Sequence, residues 1–553
     1  MNKKILYLLI ITLFSFTSNS IAQSGIWEWG REINGPSNED EIDAVGADAF
    51  GNVFISGKFE DSLKISGSPD WVVSNGMADI MLAKYDSLGV LQWTKFYGGT
   101  GEDNTFDADC DQAGNVILSG YFQNTITFDT ITLTSLGGFD AFIAKISKDG
   151  DVIWAKQYGG TGDDGGNEVS IGTNGQIIIG AISLGDFSFE SFSFTNPNHA
   201  LRDSYVISLD SDGNVNWVRT ISGLGSCQSK SIAVDRLGNV YAGGDFIGPN
   251  YIVDENNVHH NIQSNGQRDA YLTSWDSTGN LRWFKTWGGS GNDMCKGLAT
   301  TDDLSVYAAG PFFQTVNFDT IQIVGDATED FYFWKLDTDG NSQWVRHLYS
   351  PDDILYGGEI VNDGKGGVVM GIGLTDTLYM QDGNDFTAFP LPNDMGNYYP
   401  FILQYDKQGN ISFTKFSDNN SGNGTFGEIA RSGNRIFLDV ILYGSLTFNN
   451  TISSMGATDK DAGVVSIVLP NSTASVEESK LSDLKIFPNP TTEILYIQLP
   501  LNNFKVAIYS LQGQLLVTEE NTKMINCATL PMGTYLIKVI TPNTIYSKLF
   551  IKE

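Results

Sequence analysis

The chain has little of what metal, redox and nucleic-acid chemistry draw on. Its 553 residues include four cysteines, four histidines, and 33 Lys and Arg against 65 Asp and Glu, for a net charge of −32. That deficit of bases excludes a nucleic-acid partner whose phosphates need neutralising, and disfavours anionic membrane surfaces. Cys110, Cys227, Cys295 and Cys527 are scattered and show no CxxC spacing, so neither a zinc site nor a disulfide framework builds the fold. They read as buried thiols, with a Cys227–Cys295 bridge as the alternative. Sustained helical periodicity is absent, and after the first segment no apolar run approaches the ~20 residues that span a bilayer. What is plentiful is glycine, at 61 residues, and apolar side chains, at 41%, enough to build a core beneath an acidic, soluble surface.

Residues 1–22 read as a cleaved export signal: Lys3 and Lys4, an apolar run from Ile5 to Phe16, then the small residues Ser20 and Ala22 before Gln23. The run is too short for a membrane anchor, and no Cys follows to carry a lipid.

From residue 25 the sequence repeats. A glycine turn between β-rich runs recurs at Asp48-Ala-Phe-Gly51-Asn, Asp111-Gln-Ala-Gly114-Asn, Thr173-Asn-Gly175-Gln and Asp235-Arg-Leu-Gly238-Asn, with looser copies at 302–310, 363–371 and 432–440. A second marker opens an extended segment at Asp79, Asp140, Asp203, Asp269, Asp330, Pro400 and Asp461. The third is an aromatic: Trp93, Trp154, Trp217, Trp283, Trp344 and Phe413, spaced 61, 63, 66, 61 and 69 apart. The seventh aromatic stands at the other end, where Trp29 precedes Trp93 by 64 residues, while the last repeat stops at Leu469-Pro470 without one. An N-terminal strand supplying what the last repeat lacks predicts a closed ring.

Each unit reads as four antiparallel strands, in the first at 41–47, 52–59, 79–85 and 90–97. Four-stranded sheets repeated radially make a β-propeller, here of seven blades over residues 25–470. The pattern Asp-x-x-Gly-Asn-Val-Tyr-x-x-Gly at Asp235–Gly244 resembles the SBBP-type repeats of secreted and surface bacterial proteins. That resemblance implies the architecture and says little about activity.

Residues 471–482 read as a linker. Beyond it, Phe487-Pro488-Asn489-Pro490-Thr491, Val506–Tyr509 with Gly513, Gly533-Thr-Tyr535 and Lys548 resemble the type A C-terminal sorting domain of the type IX secretion system, placed at 483–553. The resemblance implies a small β-sandwich, recognition by an outer-membrane translocon, removal by a sortase, and release from or attachment to the surface of a Gram-negative bacterium of the Bacteroidota.

For chemistry, the sequence offers the acidic loops entering the repeats: Glu39-Asp40, Glu102-Asp103, Asp163-Asp164, Asp293 and Asp352-Asp353. Their carboxylates suit Ca²⁺, or a cationic or hydroxyl-rich partner, unless they are solvated turns. The Gly-Gly-x-Gly runs beside them lack the Lys-Ser/Thr of a phosphate cradle, so no cofactor other than Ca²⁺ is expected. Asp210-Ser-Asp-Gly-Asn214 and Asp337-Thr-Asp-Gly-Asn341 imitate the start of an EF-hand but lack its twelfth-position Glu, and read as turns. His199, His259, His260 and His347 assemble into no metal or catalytic set. The favoured reading is a non-catalytic binding or adhesion module for a glycan or protein, using Trp71, Phe192, Tyr251, Tyr398 and Tyr399 on the loop face. The alternative is a polysaccharide hydrolase or lyase built on the loop carboxylates.

Overall fold

The computed structural model describes residues 25–36, 40–325, 329–351, 354–355, 357–391, 398–417, 419–420, 423–453, 460–470, 485–498, 504–510, 515–520, 522–540 and 545–552. Residues 1–22 and the segment 471–482 lie outside them. The described chain is all-β, and the protein divides into two compact units, Met1–Pro470 and Asn471–Glu553. No helix among the described residues is long and apolar enough to cross a membrane.

In the first unit the recurring element is an antiparallel meander. Asp103–Cys110, Val116–Phe128, Ile131–Ile146 and Val152–Tyr158 pair in chain order, and the same order recurs in the following sheets. The first strand of each meander packs on the first strand of the next, from Ala44–Ala47 onward to Ile429–Ser432, which packs on Ala44–Ala47 again. The sheets are therefore set radially around an axis, the arrangement of a β-propeller, and apolar clusters fill the wedges between them. One cluster joins Trp29, Phe437 and Val464 of the last sheet to Ile55, Met81 and Tyr85 of the first. Ile26–Asn34 supplies the outermost strand of the last sheet, pairing antiparallel with Lys460–Val468.

The aromatic of the fourth strand is an inter-sheet staple. The indole N–H groups of Trp29, Trp93, Trp154, Trp217, Trp283 and Trp344 donate to carbonyls in the third-to-fourth turn of the next sheet, at 3.0–3.4 Å. The indole lies on the turn glycine. A Cβ on Gly279 would stand 2.7 Å from Trp217 Cδ2, and its φ of +84° excludes most side chains in any case. Arg31, Arg219 and Arg346 lie over Trp29, Trp217 and Trp344 and donate to the carbonyls of Gly89, Gly279 and Gly409. Phe413 meets no turn, because the fourth strand of the last sheet comes from the N-terminus and no turn joins it to the third. It packs instead against Gly25, where the N-terminal strand enters.

The second-to-third connections carry three of the aromatics expected on the loop face, Trp71, Phe192 and Tyr251. These connections are hairpins that cover the outer edge of the preceding sheet: Pro249–Val253 pairs with Val215–Gly223, and Leu378–Asp382 pairs with Ser342–Tyr349. An uncovered outer strand would leave a row of unpaired amides and carbonyls. The Gly-Gly pairs permit this approach, since a Cβ on Gly99 would stand 1.7 Å from the Thr125 carbonyl oxygen of the next hairpin.

In the second unit, Lys485–Phe487, Ile494–Gln498 and Met524–Asn526 form one antiparallel sheet, and Leu515–Glu520, Lys505–Ser510, Gly533–Ile540 and Ile545–Lys552 form another. One buried cluster draws Leu495, Ile497 and Ile525 from the first sheet and Val506, Ile508, Ile537 and Phe550 from the second.

Candidate functional site: the axial cavity

Four of the six acidic loop residues among the described residues are turned into the protein. Asp103 is fully buried and accepts the Gly99 amide at 2.9 Å and the Gln123 amide at 3.3 Å. Asp293 repeats this with Gly289 at 2.8 Å and Phe313 at 3.0 Å. Asp164 accepts the Gly160 amide at 2.6 Å, and Asp40 the Glu60 amide at 3.1 Å. Each thus ties its own loop or the edge hairpin of its sheet. Burial pushes Asp40, Asp103 and Asp164 up to about 7 and Asp293 to about 6. Glu102 accepts the Tyr121 hydroxyl at 2.9 Å, and the exposed Asp163 accepts the Phe139 amide at 3.2 Å. Glu39, Asp352 and Asp353 lie outside the described residues. No group of three or more His, Cys, Asp or Glu among the described residues is placed to hold a metal ion.

The loop-face aromatics are equally dispersed. Tyr399 is buried, Phe192 belongs to an edge hairpin, Tyr251 stacks on His259 at 4.0 Å, Tyr398 is half-buried and Trp71 is exposed. His347 is buried against Asp330 at 2.8 Å, His260 meets Asp254 at 3.0 Å and the exposed His199 meets Asp186 at 3.5 Å. All four cysteines are free thiols. The EF-hand look-alikes are turns, with Asp210 Oδ1 accepting the amides of Asp212 and Asn214.

What the ring does bring together lies on its axis. A cavity of about 590 Å³ opens among the loops that enter the first strands and runs inward along those strands. Its wall takes one residue from the same place in every sheet: Asp43, Phe106, Asn167, Lys230, Lys296, Glu359 and Glu428. Phe106, Asn167 and Lys230 sit where the ladder register shifts, and Glu359 and Glu428 fall between two short stretches that pair with one neighbour. A bulge leaves its extra residue outside the ladder and aims it away from the sheet.

The wall is divided by chemistry. Phe106, Tyr121 and Phe139 form an aromatic face, with ring centroids 5.1 and 5.0 Å apart. Lys230 and Lys296 come from the fourth and fifth sheets, and the exposed Arg202 joins them at the rim. Asp43, Glu168, Glu359 and Glu428 are carboxylates, and an adjoining cavity of about 270 Å³ shares Asp43, Lys296, Glu359 and Glu428. Burial, partly offset by Lys296, pushes Glu359 up to about 8. Burial and the charge of Glu359 likewise raise Glu168 and Glu428. Of the sequence candidates, Glu102, Asp163 and Asp164 line the cavity, whereas the seven equivalent wall positions did not figure among them. For five of them the signal was there: Asp43, Phe106, Asn167, Lys230 and Lys296 each lie three residues beyond the loop position held by Asp40, Asp103, Asp164, Cys227 and Asp293, where the repeats stop agreeing.

Comparison with known proteins decides the address. Residues 485–553 match the secretion system C-terminal sorting domain. The protein is secreted or attached to the cell surface in the Bacteroidota. In the matched region the Asn489 side chain accepts the Ile551 amide at 2.8 Å, and the Tyr535 hydroxyl donates to the Pro531 carbonyl at 2.7 Å. Peptide bonds preceding Pro488 and Pro490 are cis, Gly533 opens the strand Gly533–Ile540, Lys548 is half-buried, and Gly513 is outside the described residues. Over 210 residues the chain is 23% identical to an uncharacterized WD repeat-containing protein of Acanthamoeba polyphaga mimivirus, covering 34% of this chain and 15% of that one. Over 164 residues it is 27% identical to the regulatory protein FlaEY of Caulobacter vibrioides, covering 29% and 16%. The chain thus spans about a sixth of these relatives. Among solved structures it is similar to a β-propeller domain from Myceliophteria thermophila, at 9% identity and TM-score 0.37 over 78% of this chain and 97% of that one.

Proposed function

We propose that this protein is a non-catalytic glycan-binding module, a seven-bladed propeller of SBBP-type repeats followed by a sorting domain folded as a small β-sandwich. The observation that carries the reading is the aromatic face of Phe106, Tyr121 and Phe139 beside Glu102, Asn167 and Gln228 at the mouth of the axial cavity. Sugar rings stack on such faces while flanking side chains hydrogen-bond their hydroxyls, and about 590 Å³ lies within the range of small-ligand sites. Delivery to the cell surface suits adhesion to polysaccharide. The sorting domain's partners in this reading are the type IX translocon and its sortase.

A hydrolase or lyase is the second reading, drawn from Glu359, whose value near 8 leaves it protonated at neutral pH as a general acid must be. One experiment weighs both: the full secreted chain is screened on a polysaccharide array with and without Ca²⁺, reading retention and released reducing ends together. Retention without product, abolished by Tyr121→Ala, is expected. Product formation moves the protein to the enzyme class, and a blank array sinks the glycan reading.

A further inference from the structure

The second unit breaks the usual rule for an antiparallel sheet that lays one face on a core and turns a polar one to solvent. In its first sheet Ile486, Leu495, Ile497 and Ile525 belong to the buried cluster, so the residues alternating with them face outward. Those residues are apolar as well. Phe487 stands directly opposite Tyr496, and Tyr496 directly opposite Met524. The three form one stripe across all three strands, exposed by 49%, 36% and 55%, with the Phe487 and Tyr496 rings stacked at 5.7 Å and the half-buried Ile494 beside them. The matching row of the second sheet, alternating with Val506, Ile508 and Ile537 of the core, is Thr518, Ala507 and Lys538, small or polar throughout. A contiguous exposed apolar stripe marks a contact surface, and aromatics and Met are the residues such surfaces favour.

We propose that this stripe is the surface by which the type IX secretion machinery grips the sorting domain, seating Phe487, Tyr496 and Met524 in an apolar groove of a machinery protein. The inference rests on the export reading of residues 485–553 and goes beyond it by assigning the surface. The occupant follows from where the stripe lies: all three residues fall inside the span that matches the secretion system C-terminal sorting domain, and a segment that sorts must be read by a partner. A lipid surface fits less well. The charged side chains adjoining the stripe, Glu493 and Lys523, are exposed and opposite in sign, so no basic rim draws it to anionic headgroups. Tyr496, on the middle strand between its two neighbours, is the centre of the contact.

The test follows the full chain in a bacterium that carries the type IX system, reading its amount in the periplasm, on the surface and in the medium. The double variant Tyr496→Thr, Met524→Thr keeps strand propensity while removing the stripe's apolar area. Its surface and medium fractions together are expected to fall at least about tenfold, with a protease-resistant chain accumulating in the periplasm. Tyr496→Phe should be exported as the unaltered chain is, and so should Leu516→Thr, which removes an exposed apolar residue of the second sheet. Should the double variant be degraded, Met524→Thr alone decides, Met524 being the most exposed of the three: reduced export of a protease-resistant chain supports the proposal, and unchanged export overturns it. Normal export of a protease-resistant double variant overturns it too, as does an equal loss from Leu516→Thr, or loss from the surface with a matching gain in the medium. Deleting residues 485–553 separates this proposal from the export reading. A deleted chain that stays in the periplasm leaves that reading intact whatever the stripe does, and one that is still exported overturns both.

Discussion

On the turn side of the ring the repeats agree side chain by side chain, whereas along the axis they agree only in backbone. Trp29, Trp93, Trp154, Trp217, Trp283 and Trp344 make one hydrogen bond six times over, each across a seam to a turn carbonyl. The axial position carries Asp, Phe, Asn, Lys, Lys, Glu and Glu on equivalent stretches of strand. Repetition marks the positions that every seam needs. Divergence at a fixed backbone location, facing an open cavity, marks the positions released from that duty.

The largest expected effect comes from breaking the staple where the ring joins. Deleting residues 24–33 removes Trp27, Trp29 and Ile33 from the core, together with the strand that pairs with Lys460–Val468. At about 1.5–3 kcal/mol for each buried large apolar side chain, the loss is about 4.5–9 kcal/mol before the exposed edge is counted. A melting temperature unchanged by the deletion would show that the N-terminal strand does not close the ring.

The two classes of position can then be compared directly. Trp283→Ala should cost about 3–5 kcal/mol, since its indole packs on Gly340 and bonds the Thr338 carbonyl. Lys230→Gln, on the axial wall, should change stability by less than about 0.5 kcal/mol, because its nitrogen has no ion-pair partner within the described residues. Equal destabilisation in denaturant melts would erase the distinction.

A smaller effect is expected from pH. A carboxyl whose folded value is raised above its unfolded value near 3.8 holds its proton more tightly in the native state. Its stabilisation is complete below about pH 4 and is lost as pH rises through the folded value, about 7 for Asp40, Asp103 and Asp164. At Asp210, Asp276 and Asp337 the penalty of burial is outweighed by hydrogen bonds from amides and Asn side chains, so these are lowered and contribute above 3.8. The melting temperature should therefore be higher at pH 5 than at pH 8, with a shallower slope for Asp103→Asn. A rise towards pH 8 would contradict the burial of the loop carboxylates.

The smallest expected effect concerns the thiols. Cys227 and Cys295 are fully buried and burial raises both, so neither should react with a thiol reagent until the chain unfolds. Modification of either in the native protein, read by mass spectrometry, would place it at an open seam.

Much of the fold was legible because strand alternation, turn glycines and the aromatic spacing are local patterns that recur. The displaced Trp29 even indicated which strand pairs last. The sorting-domain motif was legible for the same reason, as a run of specific residues at short range. The site was not. Sequence reasoning treated acidic loops as surface, yet Asp103 and Asp293 are buried because their carboxylates satisfy amides both four residues before and twenty after, across a hairpin.

The sequence by itself determined the repeating strands, the turns and the export address, all set by neighbours in the chain. The tertiary structure alone decided which carboxylates face inward as braces and which side chains meet on the axis. Asp43 and Glu428 lie 385 positions apart in the sequence and share one cavity wall only because the last sheet packs against the first.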